Sequence, residues 1–345
     1  MDMLKHFISL GLIVLLASVP AIVRADASNY MGDGYHVYPI QNADVQLVAE
    51  TIVITDNIAF GRTPPVGKGR FTINVDMIFK NHETDTTVQM GFPVMIDDSG
   101  GELHEIDTRF RTWVNGKEVK VIRKQGMPNP LKDDWNFSKT VYTYTVSFKK
   151  GETKKIKHSY NVSGTDDNTG RWELRYFLRT GALWKGVIED FLLIYKTHIA
   201  KAKDIIGFLP REQKSVVKGK ELHMLWNFKN FKPKNDFMAF GGAAGGNPYT
   251  LVRTSLSQDM GSMRNPHMIR HLSSAELRFA RNKVFASYGY PFESPFVRSQ
   301  FYYPGSPYKE SASFSWGKIS KEHLAYIEYL KKLEADKLQE EETQK

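Results

Sequence analysis

Phe71-Thr-Ile-Asn-Val-Asp-Met-Ile-Phe-Lys80 decides the fold class. Phe71, Ile73, Val75, Met77 and Phe79 alternate with Arg70, Thr72, Asn74, Asp76, Ile78 and Lys80. Period two is the mark of a half-buried strand, because successive side chains of an extended chain point to opposite faces. The same pattern recurs outward in both directions. Val88, Met90 and Phe92 repeat it up to Pro93, and Val141 to Phe148 is rich in β-branched and aromatic residues. Ile156, His158, Tyr160 and Val162 alternate with Lys155, Lys157, Ser159 and Asn161. Trp172, Leu174, Tyr176 and Leu178 form another inward set, followed by Phe191, Leu193 and Tyr195, and then by Leu222, Met224, Trp226 and Phe228. Turn-forming runs separate these stretches: Asp98 to Gly101, Asn115-Gly116, Lys150-Gly151 and Ser163 to Asn168. Many short strands joined by polar turns predict an antiparallel β-sandwich region. It is either one enlarged sandwich or two, with 30–165 as the first and 166–240 as a second sandwich or a continuation of the first.

The C-terminal part reads differently. Ser273 and Glu276 have the spacing of a capping box. Leu277, Ala280, Val284, Phe285 and Tyr288 then share one helical face. Gly289 suits a left-handed C-cap, and Pro291 stops the helix from resuming. Phe292, Phe296 and Phe301-Tyr302-Tyr303 make an aromatic stretch. A further helix is expected from about Ser320, carrying Leu324, Ile327, Leu330 and Leu333. From Met268 to Glu334 the chain resembles the YARHG domain, a small extracellular bacterial module. Phe285-Ala286-Ser287-Tyr288-Gly289 stands where the family has Tyr-Ala-Arg-His-Gly, and Arg281-Asn282 matches its usual Arg-Asn. The resemblance implies a small helical module over 266–335, with Ser273, Glu276, Leu277, Arg281, Asn282, Phe285, Gly289 and Phe292 building its core and caps. The β-rich stretch is loosely similar to the N-terminal β-domain of some exported bacterial proteins, through the turn from Asn81 to Phe92-Pro93 and the strand end Trp226 to Pro233. The six small residues Gly241 to Gly246 predict a linker or long loop over 241–265. A charged tail is expected over 336–345.

Residues 1–25 carry the three regions of a secretory signal peptide: Lys5, the apolar run Phe7 to Val19, and Val23-Arg24-Ala25 at the cut. The apolar run is short of the ~20 residues that a transmembrane helix needs. The expectation is an exported protein, extracellular or periplasmic and associated with the envelope. The chain has no cysteine, which excludes disulfides, thiolate metal sites and cysteine nucleophiles. A stable exported domain must then rest on its core, and at 345 residues with 41% hydrophobic content there is enough chain for one. The formal net charge of +9 suits anionic envelope polymers. Nucleic acid is not expected, because the Lys and Arg are scattered rather than striped.

Little in the sequence points to chemistry. His267 and His271 lie four apart, but no acidic residue completes a metallopeptidase spacing. Asp97-Asp98-Ser-Gly-Gly-Glu102 and Asp166-Asp167-Asn168 are oxygen-rich, as ordinary turns are, and neither follows a calcium-loop spacing. There is no nucleophile elbow, phosphate loop or dinucleotide fingerprint. No metal or cofactor is expected. Of the six tryptophans, Trp135 and Trp184 fall in loop-like context and are candidates for stacking on a sugar ring. Tyr288 and Tyr290, in the aromatic turn, are further binding candidates. The resulting expectation is an exported, non-catalytic binding or structural protein that contacts anionic or glycan wall material. Its alternatives are a wall hydrolase with acidic residues from separate loops, and a protein–protein interaction module working through the helical domain.

Overall fold

The computed structural model describes residues 28–31, 36–61, 69–94, 109–126, 140–166, 171–242 and 272–343. The first strands are β1 (Ser28–Met31), β2 (His36–Ile40), β3 (Val45–Asp56), β4 (Phe71–Asn81) and β5 (Thr86–Val94). Next come β6 (Arg111–Val114), β7 (Lys117–Val119), β8 (Ile122–Gly126), β9 (Thr140–Phe148), β10 (Thr153–Val162) and β11 (Thr165–Asp166). The last are β12 (Arg171–Tyr176), β13 (Ile188–His198), β14 (Ile205–Leu209), β15 (Lys214–Lys218), β16 (Glu221–Phe231) and β17 (Phe237–Gly242). Helices α1 (Ser274–Ser287), α2 (Pro295–Phe301) and α3 (Lys321–Thr343) follow. The protein is thus mainly β with a C-terminal helical bundle.

A long sheet runs in the order β15-β16-β13-β3-β4-β10-β6-β7, a shorter one in the order β11-β12-β17-β14, and β1-β2-β8-β9-β5 close into a small barrel. The long sheet crosses the point at which the sequence suggests a split. Strand β13 lies parallel to β3, with Leu193 opposite Ile52 and Tyr195 opposite Ile54. The stretch after residue 165 therefore continues the sheet begun before it. This pairing and that of β2 with β8 are parallel, where antiparallel pairing was expected. A parallel neighbour needs a long crossover rather than a hairpin. Turn signals report hairpins, so they carry no trace of it.

Alternation sets the core. Phe71, Ile73, Val75 and Phe79 of β4, Ile52 and Ile54 of β3, and Leu193 and Tyr195 of β13 all turn inward and are buried. The smaller sheets cover that face. Phe71 meets Trp172 at 5.8 Å between ring centres, Trp226 meets Phe237 at 4.9 Å, and Tyr160 meets Phe92 at 5.1 Å. Each such side chain contributes about 1.5–3 kcal/mol on burial. At the end of β3 the Arg70 guanidinium donates to both carboxylate oxygens of Asp56 and lies 4.0 Å from the Trp172 ring centre. That pair closes the seam between the two sheets.

Strand β14 is the edge of the shorter sheet, and the helical bundle covers it. A bare edge offers unpaired backbone groups to other chains, so covering it protects the fold. Gln300 of α2 donates to the Ile205 and Ile206 carbonyls of β14 at 2.8 and 3.2 Å. Phe208 of β14 touches Tyr195 and Trp226 of the long sheet at 5.2 Å each, and Phe296 of α2 at 5.3 Å. One side chain therefore ties both sheets to the bundle. The sequence reading starts a linker at Gly241, but Gly241 and Gly242 pair with Trp172 and Arg171 as the end of β17. The remainder of that stretch, to residue 271, lies outside the described residues.

Helix α1 approaches β14 so closely that only glycine fits at Gly207. A Cβ there would lie 2.7 Å from the Ala275 Cβ. Gly207→Val is expected to wedge the helix off the strand at a cost of roughly 1–3 kcal/mol. A shift in the urea midpoint measures this, and an unchanged midpoint would mean that the bundle is not seated on β14.

Candidate functional site

The outward face of the long sheet carries the polar half of each alternation. Register places these side chains in rows across the strands. Thr51 of β3 is opposite Asp76 of β4, Asp76 is opposite Lys157 of β10, and Lys157 is opposite Trp113 of β6. The neighbouring row brings Asn74 opposite Ser159. Neighbouring strands are about 4.8 Å apart, so Trp113 stands roughly 10 Å from Asp76. Together with Lys155 these residues line a groove of about 710 Å³ on the outer face. A register irregularity between Leu47 and Ala49 on β3 adds local twist beside it.

The β6–β7 hairpin forms the wall. Asn115 and Gly116 take left-handed φ of 49° and 80°, as a two-residue hairpin turn of this kind requires. The Asn115 N–H donates to the Lys155 carbonyl at 2.7 Å, and the Asn115 side chain accepts the Lys155 N–H at 2.9 Å, so the turn is pinned to β10. Arg111 lies 4.8 Å from the Trp113 ring centre. It also donates twice to Glu118, at 2.8 and 2.6 Å. That hydrogen bonding raises the arginine pKa and lowers that of the carboxyl, so both stay charged. Trp113 is thus held from behind while its ring remains half-exposed on the groove side.

Asp76, Lys155 and Lys157 are exposed, and among the described residues none of them forms an ion pair. Two other lysines, by contrast, are paired. Lys154 donates to Glu152 at 2.8 Å, and Lys185 pairs with Glu83. The groove therefore offers an aromatic plate, two free ammonium groups, one free carboxylate and neutral donors and acceptors. Such groups offer apolar contact, charge and hydrogen bonds to a polar ligand. Among the described residues no group of three His, Asp or Glu is placed to hold a metal ion.

The binding residues picked from the sequence lie elsewhere. Trp184 is buried at 2% exposure and packs on Phe79 at 4.8 Å, so it has no face for a sugar. Its loop-like context is a short 3-10 turn folded under the sheet. Trp135, His267, His271, the Asp97 to Glu102 turn, Asp167 and Asn168 lie outside the described residues. The Tyr288 hydroxyl bonds His323 Nδ1 at 2.7 Å and accepts the Ser320 N–H at 3.3 Å, which occupies it within the bundle. Tyr290 packs among Phe285, Phe292 and Phe314 at 5.1–5.2 Å.

The cap and core residues of the bundle are placed as follows. The Ser273 hydroxyl accepts the Glu276 N–H, and the Glu276 carboxylate accepts the Ser273 N–H at 2.7 Å. Leu277 is buried against Leu330 of α3, and Arg281 donates to Glu334 at 2.8 Å. Asn282, Phe285 and Phe292 are buried, and Gly289 has φ of 74°. On α3, Ile327 and Leu330 are buried and Leu324 and Leu333 half-buried, so its apolar face serves the bundle itself. Sequence reasoning missed Trp113, Asp76, Lys155 and Lys157 as a group. The signal was present: Trp113 stands two residues before Asn115 of an Asn-Gly turn, and the charged residues occupy outward positions of well-marked strands.

Residues 256–335 match the YARHG domain, and a YARHG domain is present there. It includes all three helices except the last turns of α3. No curated protein matches the chain. Among solved structures, a Legionella pneumophila protein provisionally described as nutrient binding is 22% identical, with 89% of this chain and 99% of that one covered at a TM-score of 0.48. The M1 zinc metallopeptidase of Deinococcus radiodurans is 9% identical, with 59% of this chain and 44% of that one covered at a TM-score of 0.32. Legionella pneumophila aminopeptidase A is 7% identical, with 59% of this chain and 22% of that one covered at a TM-score of 0.31. These likenesses are too distant to carry an argument about function.

Proposed function

We propose that this chain is an exported, non-catalytic binding protein of the bacterial cell envelope. Its β unit holds glycan or anionic wall material in the groove on the long sheet, and the YARHG domain serves as a fixed cap on β14. The observation that carries this reading is the braced, half-exposed Trp113 beside free polar and charged side chains on an open sheet face. An aromatic plate gives apolar contact to the face of a sugar ring at small entropic cost, and the surrounding polar groups take its hydroxyls. The net charge of +9 adds attraction to anionic polymers. The signal-like start of the sequence supports export.

Co-sedimentation of the mature chain with isolated bacterial cell wall tests the proposal. Trp113→Ala is expected to weaken retention about thirtyfold, as loss of a central aromatic anchor typically costs ~2 kcal/mol. Retention that is unchanged by Trp113→Ala would remove the groove from the account. Release of soluble wall fragments during incubation would show a hydrolase instead.

A further inference from the structure

The groove has a charge pattern that narrows its ligand. Lys157 stands between Trp113 on one side and Asp76 on the other, in a single cross-strand row. Lys155 projects from the same face two residues along β10. Two ammonium groups next to an aromatic plate favour a ligand with a negative group close to its ring. The single carboxylate of Asp76 works in the opposite sense. It repels a densely charged phosphodiester chain and accepts hydrogen bonds from hydroxyl or amide N–H donors. A nucleic-acid strand would bring its dense phosphate charge against that carboxylate, and a neutral glycan would offer both ammonium groups oxygen acceptors but no counter-charge.

Resting on the binding reading above, we propose that the groove selects an acidic sugar within an oligosaccharide. The ring stacks on Trp113, the carboxylate or phosphate of the sugar is held by Lys155 and Lys157, and a hydroxyl or acetamido N–H donates to Asp76. The pinned hairpin fixes the strand that carries the plate against the strand that carries the cations before the ligand arrives. That lowers the ordering cost of binding and makes the site discriminate by charge position rather than by total charge.

Calorimetric titration of the full mature chain provides the test, with three probes. Hyaluronan tetrasaccharide carries a carboxylate, 6-phosphorylated chitobiose carries a phosphate, and chitotetraose is neutral. At least one acidic probe is expected to bind tenfold or more tightly than chitotetraose, and which one does so identifies the acidic group. Lys157→Gln should abolish that preference, and Lys157→Arg should restore it. These side chains are exposed, and an unchanged melting midpoint shows that each variant is folded. Equal affinity for acidic and neutral probes, with both lost in Trp113→Ala, would overturn the acidic selection and leave the binding reading intact. Failure of all three probes at low salt, or binding that survives Trp113→Ala, would overturn the groove as a glycan site altogether.

Discussion

Replacing Arg278 by methionine is expected to lower the unfolding free energy by roughly 3–5 kcal/mol. Arg278 of α1 donates to both carboxylate oxygens of Glu212, at 3.2 and 2.9 Å, and both side chains are about 95% shielded from water. Glu212 follows β14 in the chain, so the pair joins the YARHG domain to the β unit. Methionine fills most of the arginine's volume but leaves the buried Glu212 carboxylate without its hydrogen-bonded partner, with the neighbouring Arg211 as a charge of opposite sign. The loss comes mainly from that stranded charge, and the pair itself adds little net stability. Arg278→Met combined with Glu212→Leu should therefore recover most of the loss. Urea unfolding followed by tryptophan fluorescence measures both variants. A double variant as unstable as the single one would show that packing, not the stranded charge, sets the cost.

A second large effect concerns acid. His158 points inward from β10 and is fully buried. Its Nε2 lies 2.7 Å from the Tyr144 hydroxyl in a hydrogen bond, and Phe92 and Phe110 pack on the ring at 5.1 Å. Burial pushes its pKa down from 6.5 to about 3. The folded protein thus refuses a proton that the unfolded chain accepts below about pH 6.5. Stability from this group is complete above that pH and is lost as pH falls toward 3, by about 1.4 kcal/mol for each pH unit. The whole limb amounts to ~3–5 kcal/mol. Unfolding free energies measured between pH 7.5 and 4 should fall more steeply in the wild type than in His158→Leu. Equal slopes would mean that His158 is hydrated and titrates normally.

Much of the fold was legible because burial follows alternation. Phe71 to Phe79, Trp172 to Leu178 and Phe191 to Tyr195 all face the core as their period-two spacing predicts. The bundle was legible because its ends carry local signals, the Ser273–Glu276 box above all. Long-range order was not. The parallel partnership of β13 with β3 depends on a crossover that leaves no local mark. The seating of α1 on β14 depends on Gly207, whose small size has no visible meaning until Ala275 is placed beside it. The binding surface failed for a related reason. Trp184 looked available because small and polar neighbours resemble a loop, yet that turn folds under Phe79. Trp113 gains its company only through register, since Asp76 and Lys157 come from strands far apart in the chain.

The most direct test of the account is amide hydrogen exchange on the full mature chain, with and without soluble cell-wall fragments. Binding in the groove should slow exchange in 111–119 and 153–161, the β6–β7 hairpin and β10, while 272–343 stays unchanged. Slowed exchange confined to 272–343, with the hairpin unaffected, would place recognition on the YARHG domain and contradict the account.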